Sequence, residues 1–303
     1  MTRKVVIDTD PGIDDAVAIL FALASPAFEV IGITTVAGNI GLTTVTRNAG
    51  RILALAGRSD IPVIAGAAAP LARKGFDTTE IHGDDGLGGV TFPEPLAPSL
   101  DDAVRWLAET LLRHPFGSVD ILALGPLTNL ARLVTEHPAA AGRIGRVIAM
   151  GGAIDERGNI GPHSEFNLAA DPEAADIELR AGLPIVLIPL DVTRKVRATR
   201  DDLERLRASE RPFALVSADL IDAYFQSTTG GTSRPLHDPC VMLYAERPDL
   251  FGIERYTLAV DLGDGPDAGA LTRDEGRGAP VEVAMRVDAP AALDLLELRL
   301  TGR

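Results

Sequence analysis

Short apolar segments alternate with longer amphipathic segments along most of the chain. The short segments are rich in leucine or β-branched residues and are apolar at successive positions, which is typical of strands covered on both faces. They are Lys4–Ile7, Val30–Val36, Ile61–Ile64, Val119–Leu124, Arg146–Met150 and Ile185–Leu190. We therefore predict buried, mainly parallel strands at these positions.

The segments between these strands carry the start and stop signals of helices. Proline or glycine closely follows the end of each helical pattern, and Asp171 precedes a proline, as an N-cap residue often does. The predicted helices are Asp14–Ala24, Thr43–Ala56, Leu100–Arg113 and Asp171–Ala181. Alternating strands and helices predict an α/β fold, in which right-handed crossovers join a mainly parallel central sheet flanked by helices.

The C-terminal part of the chain has a different pattern. Tyr256–Val260 and Val281–Val287 alternate as antiparallel strands do, and Ala289–Leu300 is predicted to be a closing helix capped by Asp288. No strong linker or internal repeat precedes about residue 250. We predict a single domain over residues 1–303, with residues 251–303 as a small antiparallel, strand-rich extension that ends in the helix.

Two segments are too rich in glycine or polar residues for regular structure. They are Phe76–Val90 and Gln226–His237. Long loops in a compact chain often close over a site or bind a ligand, so both segments are predicted to do so.

The composition excludes several kinds of partner. The chain has 303 residues, with 29 basic and 43 acidic side chains and a net charge of −14. This charge argues against a nucleic-acid partner, because such binding uses clustered lysine and arginine. The apolar stretches are too short for a membrane span and no signal-peptide core begins the sequence, so we expect a cytoplasmic protein. Cys240 is the only cysteine, which excludes an intrachain disulfide.

Four carboxylates follow the first predicted strand within a few residues of one another. They are Asp8, Asp10, Asp14 and Asp15. Like charges this close raise one another's pKa unless a cation lies among them, and oxygen ligands favour Ca²⁺ or Mg²⁺ over zinc or copper. The alternative is that Asp14 and Asp15 only cap the following helix. For the whole cluster, a divalent cation site at the carboxyl edge of the sheet is the better interpretation.

Other chemistries of an aspartate cluster find less support. A phosphatase of the haloacid-dehalogenase type also has two aspartates after its first strand, but here Pro11 follows Asp10 where that family has glycine. The sequence contains no phosphate-binding P-loop, no dinucleotide-binding glycine turn and no serine-hydrolase elbow. An acidic pocket also repels phosphate, so an unphosphorylated substrate is favoured.

The residues from Asp8 to Ala16 resemble the N-terminal signature of the nucleoside hydrolases of the inosine–uridine-preferring type. Further motifs of that family follow in the same order: Val36–Asn39, Ile81–Gly89, Leu124–Asn129, Met150–Gly152, Gly158–Asn159, Glu165–Asn167 and His237–Cys240. One Asp-x-Asp motif is weak evidence, but motifs in family order from residue 8 to residue 240 are specific. The resemblance implies the nucleoside hydrolase fold with its Rossmann-like core.

The resemblance also implies hydrolysis of the N-glycosidic bond of a ribonucleoside to ribose and free base, with a tightly bound Ca²⁺. The implied metal ligands are Asp10, Asp15, Asp238 and the main-chain carbonyl of Leu124, where several homologues have threonine. Asp10 would also be the general base on the attacking water. We further hypothesise that His237 protonates the leaving base, because it lies beside Asp238.

The remaining motif residues are expected to bind the substrate. The expected ribose ligands are Asp14, Asn39, Asn159, Glu165 and Asn167. His82 and His237 lie where the family contacts the nucleobase, and Met150 is expected to line the pocket while it packs against the core. The family also implies a homodimer or homotetramer.

Base preference and two other functional classes remain open at this stage. His82 and His237 favour the inosine–uridine-preferring branch, whereas Tyr224, Phe225 and the loop at residues 226–236 favour a pyrimidine-restricted enzyme. One alternative class is a catalytically silent protein that binds calcium and a ribosyl group. Another is a metal-dependent phosphatase.

Overall fold

The central sheet follows from the buried apolar segments of the sequence. The computed structural model describes residues 2–227, 231–274 and 279–302. Over these residues the strands are β1 (Arg3–Thr9), β2 (Phe28–Thr35), β3 (Val63–Ala65), β4 (Leu100–Asp101), β5 (Val119–Ala123), β6 (Val147–Met150), β7 (Ile185–Ile188), β8 (Arg197–Thr199), β9 (Ser233–Pro235), β10 (Phe251–Tyr256), β11 (Leu258–Val260), β12 (Leu271–Arg273) and β13 (Val281–Val287).

Helices connect most of these strands. In the same residues they are α1 (Ile13–Ala24), α2 (Leu42–Leu55), α3 (Thr79–His82), α4 (Ala103–Arg113), α5 (Thr128–Glu136), α6 (Pro138–Ala141), α7 (Phe166–Ala170), α8 (Pro172–Arg180), α9 (Leu190–Thr193), α10 (Arg200–Ala208), α11 (Pro212–Ser227), α12 (Pro239–Glu246) and α13 (Ala289–Thr301), with a 3₁₀ turn at Pro248–Leu250. None of the helices in the described ranges is long and apolar enough to cross a bilayer.

Nine strands form one sheet in the order β10-β13-β7-β6-β5-β1-β2-β3-β4 within the described residues. Every neighbouring pair is parallel except β10 and β13. The predicted α/β fold with a mainly parallel sheet is confirmed. β1 pairs with β2 on one side and with β5 on the other. Successive strands are therefore added toward one edge of the sheet from β1 to β4 and toward the other edge from β5 onward. Open α/β sheets bind ligands at such a switch point, which here lies between β1 and β5.

Strand β1 shows why its residues are apolar at successive positions. Val5 and Ile7 pack into the hydrophobic cluster that contains α1, while Val6 packs with Ile121 into the cluster on the opposite face. Side chains alternate between the two faces of a strand, so a strand with helices on both faces needs apolar residues throughout.

The C-terminal strands extend the main sheet. β13 pairs in parallel with β7 and antiparallel with β10, and β11 forms a separate antiparallel pair with β12. The predicted strand Tyr256–Val260 spans the end of β10 and all of β11. The extension is therefore antiparallel in part, as predicted, but continuous with the parallel sheet. This continuity favours one domain, which stays a prediction.

Several predicted boundaries were wrong, and two of them have a clear physical reason. The helix predicted from Leu100 begins at Ala103, because Leu100 and Asp101 pair with β3 and the side chain of Asp102 caps the helix by accepting from the Arg105 amide. The strand predicted over Ile185–Leu190 ends at Ile188, and Pro189 then starts the single turn of α9.

Glu178 on α8 is a fully buried carboxyl group that feels the charge of Asp8 on β1. Both of its carboxyl oxygens are buried without a hydrogen-bond partner among the described residues. Burial, together with the charge of Asp8, raises the pKa of Glu178 to about 8. An ionised group in such surroundings is disfavoured, so Glu178 is protonated in the folded protein near neutral pH.

Replacing Glu178 with glutamine should therefore change how stability depends on pH. A carboxyl whose pKa is raised on folding leaves stability intact below its ordinary pKa of 4.5, and stability is lost as pH rises toward 8. We expect the free energy of unfolding of Glu178→Gln, relative to that of the wild type, to rise by up to about 1.4 kcal/mol for each pH unit across this range. Denaturant titrations at several pH values measure it, with the exposed Glu204→Gln as control. Parallel pH profiles for the wild type and Glu178→Gln would contradict the account.

Candidate active site

A cavity of about 230 Å³ opens at the carboxyl edge of the sheet beside the β1–β5 switch point. It collects residues from every predicted motif. The predicted site residues that line it are Asp14, Asn39, His82, Leu124, Met150, Asn159, Glu165, Asn167, His237 and Asp238. The other two, Asp10 and Asp15, are fully buried. Both accept hydrogen bonds from Asn39, which lines the cavity.

The acidic residues meet at one point. Ligand atoms of Asp14, Asp15 and Asp238 lie within 4.8 Å of one another. The resemblance assigns Asp14 to ribose, whereas this geometry also places it among the candidate metal ligands. Burial, and then the charge of Asp15, raises the pKa of Asp14 to about 7. Burial and the neighbouring aspartates hold the pKa of Asp238 well above its ordinary value. Raised pKa values of this kind arise when like charges are buried together, and a cation among the carboxylates would offset the repulsion.

Asp10 lies against this group with one oxygen unpartnered. Its Oδ2 accepts from the Asn39 main-chain amide at 2.7 Å, while its Oδ1 is buried without a hydrogen-bond partner among the described residues. Burial and the charge of Asp15 hold the pKa of Asp10 well above its ordinary value. A buried acceptor without a donor is costly, so Oδ1 is suited to a cation or a water proton.

Two glycines make room for the Asp10 carboxylate. A Cβ added to Gly38 would lie 2.1 Å from Asp10 Oδ2, and one added to Gly125 would lie 2.4 Å from Asp10 Oδ1. Both distances are far below van der Waals contact. The Gly-Asn and Leu-Gly-Pro motifs therefore contain glycine because the backbone must approach the carboxylate closely.

Asp15 joins the strand end to the helix start. Its Oδ1 accepts from the Thr9 hydroxyl at 2.6 Å, and its Oδ2 accepts from the Gly12 amide at 2.9 Å and from Asn39 Nδ2 at 3.1 Å. Asp15 thus does cap α1, as the alternative interpretation proposed, and it also belongs to the acidic cluster.

Asn39 is oriented by a residue that the sequence analysis did not identify. The Thr78 hydroxyl donates to Asn39 Oδ1 at 3.1 Å, so Nδ2 of Asn39 points to Asp15 and to the Asp10 carbonyl. Thr78 is buried at the start of α3, inside the segment that was predicted to be a loop. The sequence holds no signal for this contact beyond the position of Thr78 in a glycine-rich segment.

The opposite wall is built on the N-terminus of α7. Glu165 caps this helix and accepts from the main-chain amides of Asn167 and Gly152, each at 3.0 Å. Burial raises the pKa of Glu165 to about 7. Asn167 Nδ2 donates to the Leu124 carbonyl at 2.6 Å and to the Met150 carbonyl at 3.2 Å. The predicted metal-ligand carbonyl is thus already an acceptor, with one lone pair left for a cation.

Asn159 lies on an exposed segment of the same wall. Its Oδ1 accepts from the Phe166 amide at 2.9 Å, which leaves its amide group to face a ligand.

The two histidines are held at Nδ1. His82 Nδ1 accepts from the Ile13 amide at 3.0 Å, and burial lowers the pKa of His82. His237 Nδ1 lies 2.8 Å from the Thr193 hydroxyl. Burial, with the nearby charges of Arg194 and Arg197, lowers the pKa of His237 to about 4. His237 is therefore neutral at pH 7, and Nε2 is the nitrogen left for the cavity.

The cavity is also lined by six residues that were not predicted as site residues. They are Thr78, Glu80, Ile81, Ile160, Phe166 and Tyr224. Tyr224 was considered for base preference and does border the cavity. Phe225, considered with it, instead packs between the guanidinium groups of Arg200 and Arg234, whose centres lie 4.5 and 4.7 Å from its ring centroid. Residues 228–230 of the second glycine-rich loop lie outside the described residues.

Almost the whole chain matches a known protein family. The sequence profile described as inosine-uridine preferring nucleoside hydrolase matches residues 5–294. The chain belongs to this nucleoside hydrolase family. It is therefore a hydrolase acting on N-glycosyl bonds, in a family that depends on a metal.

Two curated relatives are similar along their whole length. The pyrimidine-specific ribonucleoside hydrolase RihA of Citrobacter koseri is 40% identical over 309 residues, covering 99% of this chain and 98% of the relative. RihA of Shewanella woodyi is 39% identical over 305 residues, covering 98% of this chain and 97% of the relative.

Solved structures of nucleoside hydrolases superpose closely on this fold. The plant nucleoside hydrolase PpNRh1 has a TM-score of 0.91 at 36% identity and full coverage of both chains. The purine-preferring ribonucleoside hydrolase from Gardnerella vaginalis has a TM-score of 0.92 at 31% identity, covering 99% of this chain and 98% of that one.

A methyl group at Gly125 should disable this nucleoside hydrolase. The added Cβ would lie 2.4 Å from Asp10 Oδ1 and would displace the carboxylate. A displacement of about 1 Å costs about 100-fold in kcat/KM, which we expect on a ribonucleoside substrate. The matched control is Gly41→Ala, because no atom lies within 4 Å of a Cβ added there. Steady-state kinetics measure the loss, and circular dichroism melting checks that both variants fold. Gly125→Ala with wild-type kcat/KM would show that Asp10 need not occupy its present position.

Proposed function

We propose that this protein is a calcium-dependent ribonucleoside hydrolase that releases ribose and free base, with pyrimidine nucleosides preferred. The observation that carries the proposal is the convergence of Asp14, Asp15 and Asp238 within 4.8 Å, beside a cavity lined by amide and carboxyl groups. Family membership supports the reaction class, and the oxygen ligand set supports calcium.

The residues fit a hard divalent cation. The aspartate oxygens and the Leu124 carbonyl offer only oxygen ligands, the Asp10 Oδ1 atom lacks a donor, and the pKa values of Asp10 and Asp238 are raised in the way that an uncompensated acidic cluster requires. A Ca²⁺ held by Asp10, Asp15, Asp238 and the Leu124 carbonyl would supply a positive charge that acidifies the attacking water and binds ribose hydroxyls.

The protein groups around the ribose position have separate roles. Asp14, Asn39, Asn159, Glu165 and Asn167 bind the hydroxyls and hold the sugar ring over Asp10. Asp10 Oδ1 is the acceptor for the proton of the attacking water. As the bond to the base breaks, positive charge develops on the ribosyl ring, and the neighbouring carboxylates stabilise it electrostatically.

His237 and His82 are placed to contact the base. The electron pair of the broken bond goes to a nitrogen of the base, which needs a proton or a hydrogen bond to leave. We assign this role to Nε2 of His237, which is neutral at pH 7 because its pKa is about 4. A neutral imidazole serves the departing base as an N–H donor, whereas sequence reasoning expected a ring that titrates near the working pH.

The preference for pyrimidines rests on similarity to named relatives. The curated relatives at about 40% identity along the whole chain are named pyrimidine-specific. A self-associated form, as homodimer or homotetramer, and a cytoplasmic location remain predictions.

Removing the metal should abolish hydrolysis. We expect exhaustive chelation to eliminate ribose release from uridine and added Ca²⁺ to restore it, because the acidic cluster cannot bind ribose and activate water without a cation. Asp10→Asn should lower kcat by about 10²–10⁴-fold, as loss of a general base does, with the exposed Asp201→Asn as control. A reducing-sugar assay measures both. Full activity after chelation would exclude the calcium mechanism.

The same assay decides the base preference. Uridine and cytidine should give higher kcat/KM values than inosine, adenosine and guanosine. Equal or higher values for inosine would replace the pyrimidine preference with a broad inosine–uridine one.

A further inference from the structure

The single turn of α9 connects two walls of the active site. Asp191 accepts from the main-chain amides of Ile154 and Asp155 at 2.9 and 2.8 Å. Arg194, directly after the turn, donates to the carbonyls of Arg157 and Gly158 at 2.6 and 2.8 Å. The first wall held in this way is the segment that leads to Asn159.

The second contact of this turn is with His237. The Thr193 hydroxyl lies 2.8 Å from His237 Nδ1, and Thr193 is fully buried. Within the described residues, neither the Thr193 hydroxyl nor His237 Nε2 makes another hydrogen bond. His237 lines the cavity, so the ring is held from behind at Nδ1 while Nε2 remains for a ligand.

The direction of the Thr193–His237 hydrogen bond follows from the cost of a buried donor. If the Thr193 hydroxyl only accepted from Nδ1–H, its own proton would be buried without an acceptor. If it donates, its proton is satisfied and Nδ1 is the acceptor. An imidazole whose Nδ1 accepts a hydrogen bond has no proton on that nitrogen, so its one proton is on Nε2.

We propose that Thr193 is a positioning residue, whose hydroxyl donates to Nδ1 of His237 and so presents Nε2–H to the departing base. The proposal rests on the proposed function, since it needs His237 to contact the base. Thr193 itself does not line the cavity. As the glycosidic bond breaks, the oxygen of water bonds to the ribosyl carbon and a water proton passes to Asp10. The electron pair of the broken bond stays on the base, which accepts a hydrogen bond from the fixed Nε2–H and takes its proton from solvent.

Two nearly isosteric variants separate the hydroxyl from the packing of the side chain. Thr193→Val keeps the shape and removes the hydroxyl, whereas Thr193→Ser keeps the hydroxyl and removes the methyl group. For uridine we expect Thr193→Val to lower kcat by about tenfold with little change in KM, the size of one oriented hydrogen bond. Thr193→Ser should retain most of the wild-type kcat.

A second substrate distinguishes the proposed role from a structural one. In p-nitrophenyl β-D-ribofuranoside the leaving group departs as a stable phenolate and gains little from a donor. We expect Thr193→Val to hydrolyse it at the wild-type rate. Equal losses on both substrates, no loss on uridine, or a Thr193→Ser variant as slow as Thr193→Val would each overturn the proposal.

The ring nitrogens of His237 provide a readout that does not depend on turnover. The chain has five histidines, so the spectrum of ¹⁵N-histidine-labelled protein can be assigned by comparison with His237→Ala. We expect protonated Nε2 and unprotonated Nδ1 in the wild type and in Thr193→Ser, and loss of this preference in Thr193→Val. A proton on Nδ1 in the wild type would contradict the proposal.

The design also separates this proposal from the proposed function. If the calcium-loaded wild type released no ribose from uridine, the proposed function would fail and the role of Thr193 with it. If the wild type were active and His237→Ala equally active, only the base-contacting role of His237 and the proposal on Thr193 would fail.

Discussion

Carboxylates that are brought together away from water repel one another unless protons or a cation lie among them. Asp10, Asp15 and Asp238 are buried, and Asp14 borders the cavity beside them. Several features of the structure keep these groups together despite the repulsion. Asn39 and the Gly12 amide donate to the cluster, and the glycines at positions 38 and 125 leave space for it. The whole arrangement is consistent with a cation as the counter-charge.

The fold brings the cluster together from distant parts of the chain. β1 lies at the centre of the sheet, so Asp10 follows its end next to the end of β5, where Leu124 lies. Asp238 comes from the start of α12, which packs against α1 and so reaches Asp14 and Asp15. The substrate cavity forms where these elements meet, and the histidines lie around it.

The pattern of apolar segments was sufficient to predict the parallel sheet, because strands covered on both faces cannot be polar at alternate positions. The acidic residues after β1 predicted a cation site for a similar reason, since their charges repel whatever the fold. The ordered motifs then predicted the residues of the cavity, and ten of the predicted site residues do line it.

Contacts between separate segments could not be predicted in this way. Thr78 and Thr193 are ordinary residues in the sequence, and their importance comes from what tertiary structure places beside them, Asn39 and His237. The lowered pKa of His237 depends on burial and on Arg194 and Arg197, which no local pattern indicates. The start of α4 was missed because Leu100 and Asp101 join a sheet edge that only the fold provides.

Calorimetric titration of the metal-stripped protein with Ca²⁺ tests the central claim most directly. Burial and mutual repulsion raise the pKa values of Asp14 and Asp238, and a cation that displaces protons from such carboxyl groups releases them to the buffer. We predict saturable binding whose apparent enthalpy changes with the ionisation enthalpy of the buffer, and a large loss of affinity in Asp238→Asn. Absence of binding, or binding that Asp238→Asn leaves unchanged, would contradict the account.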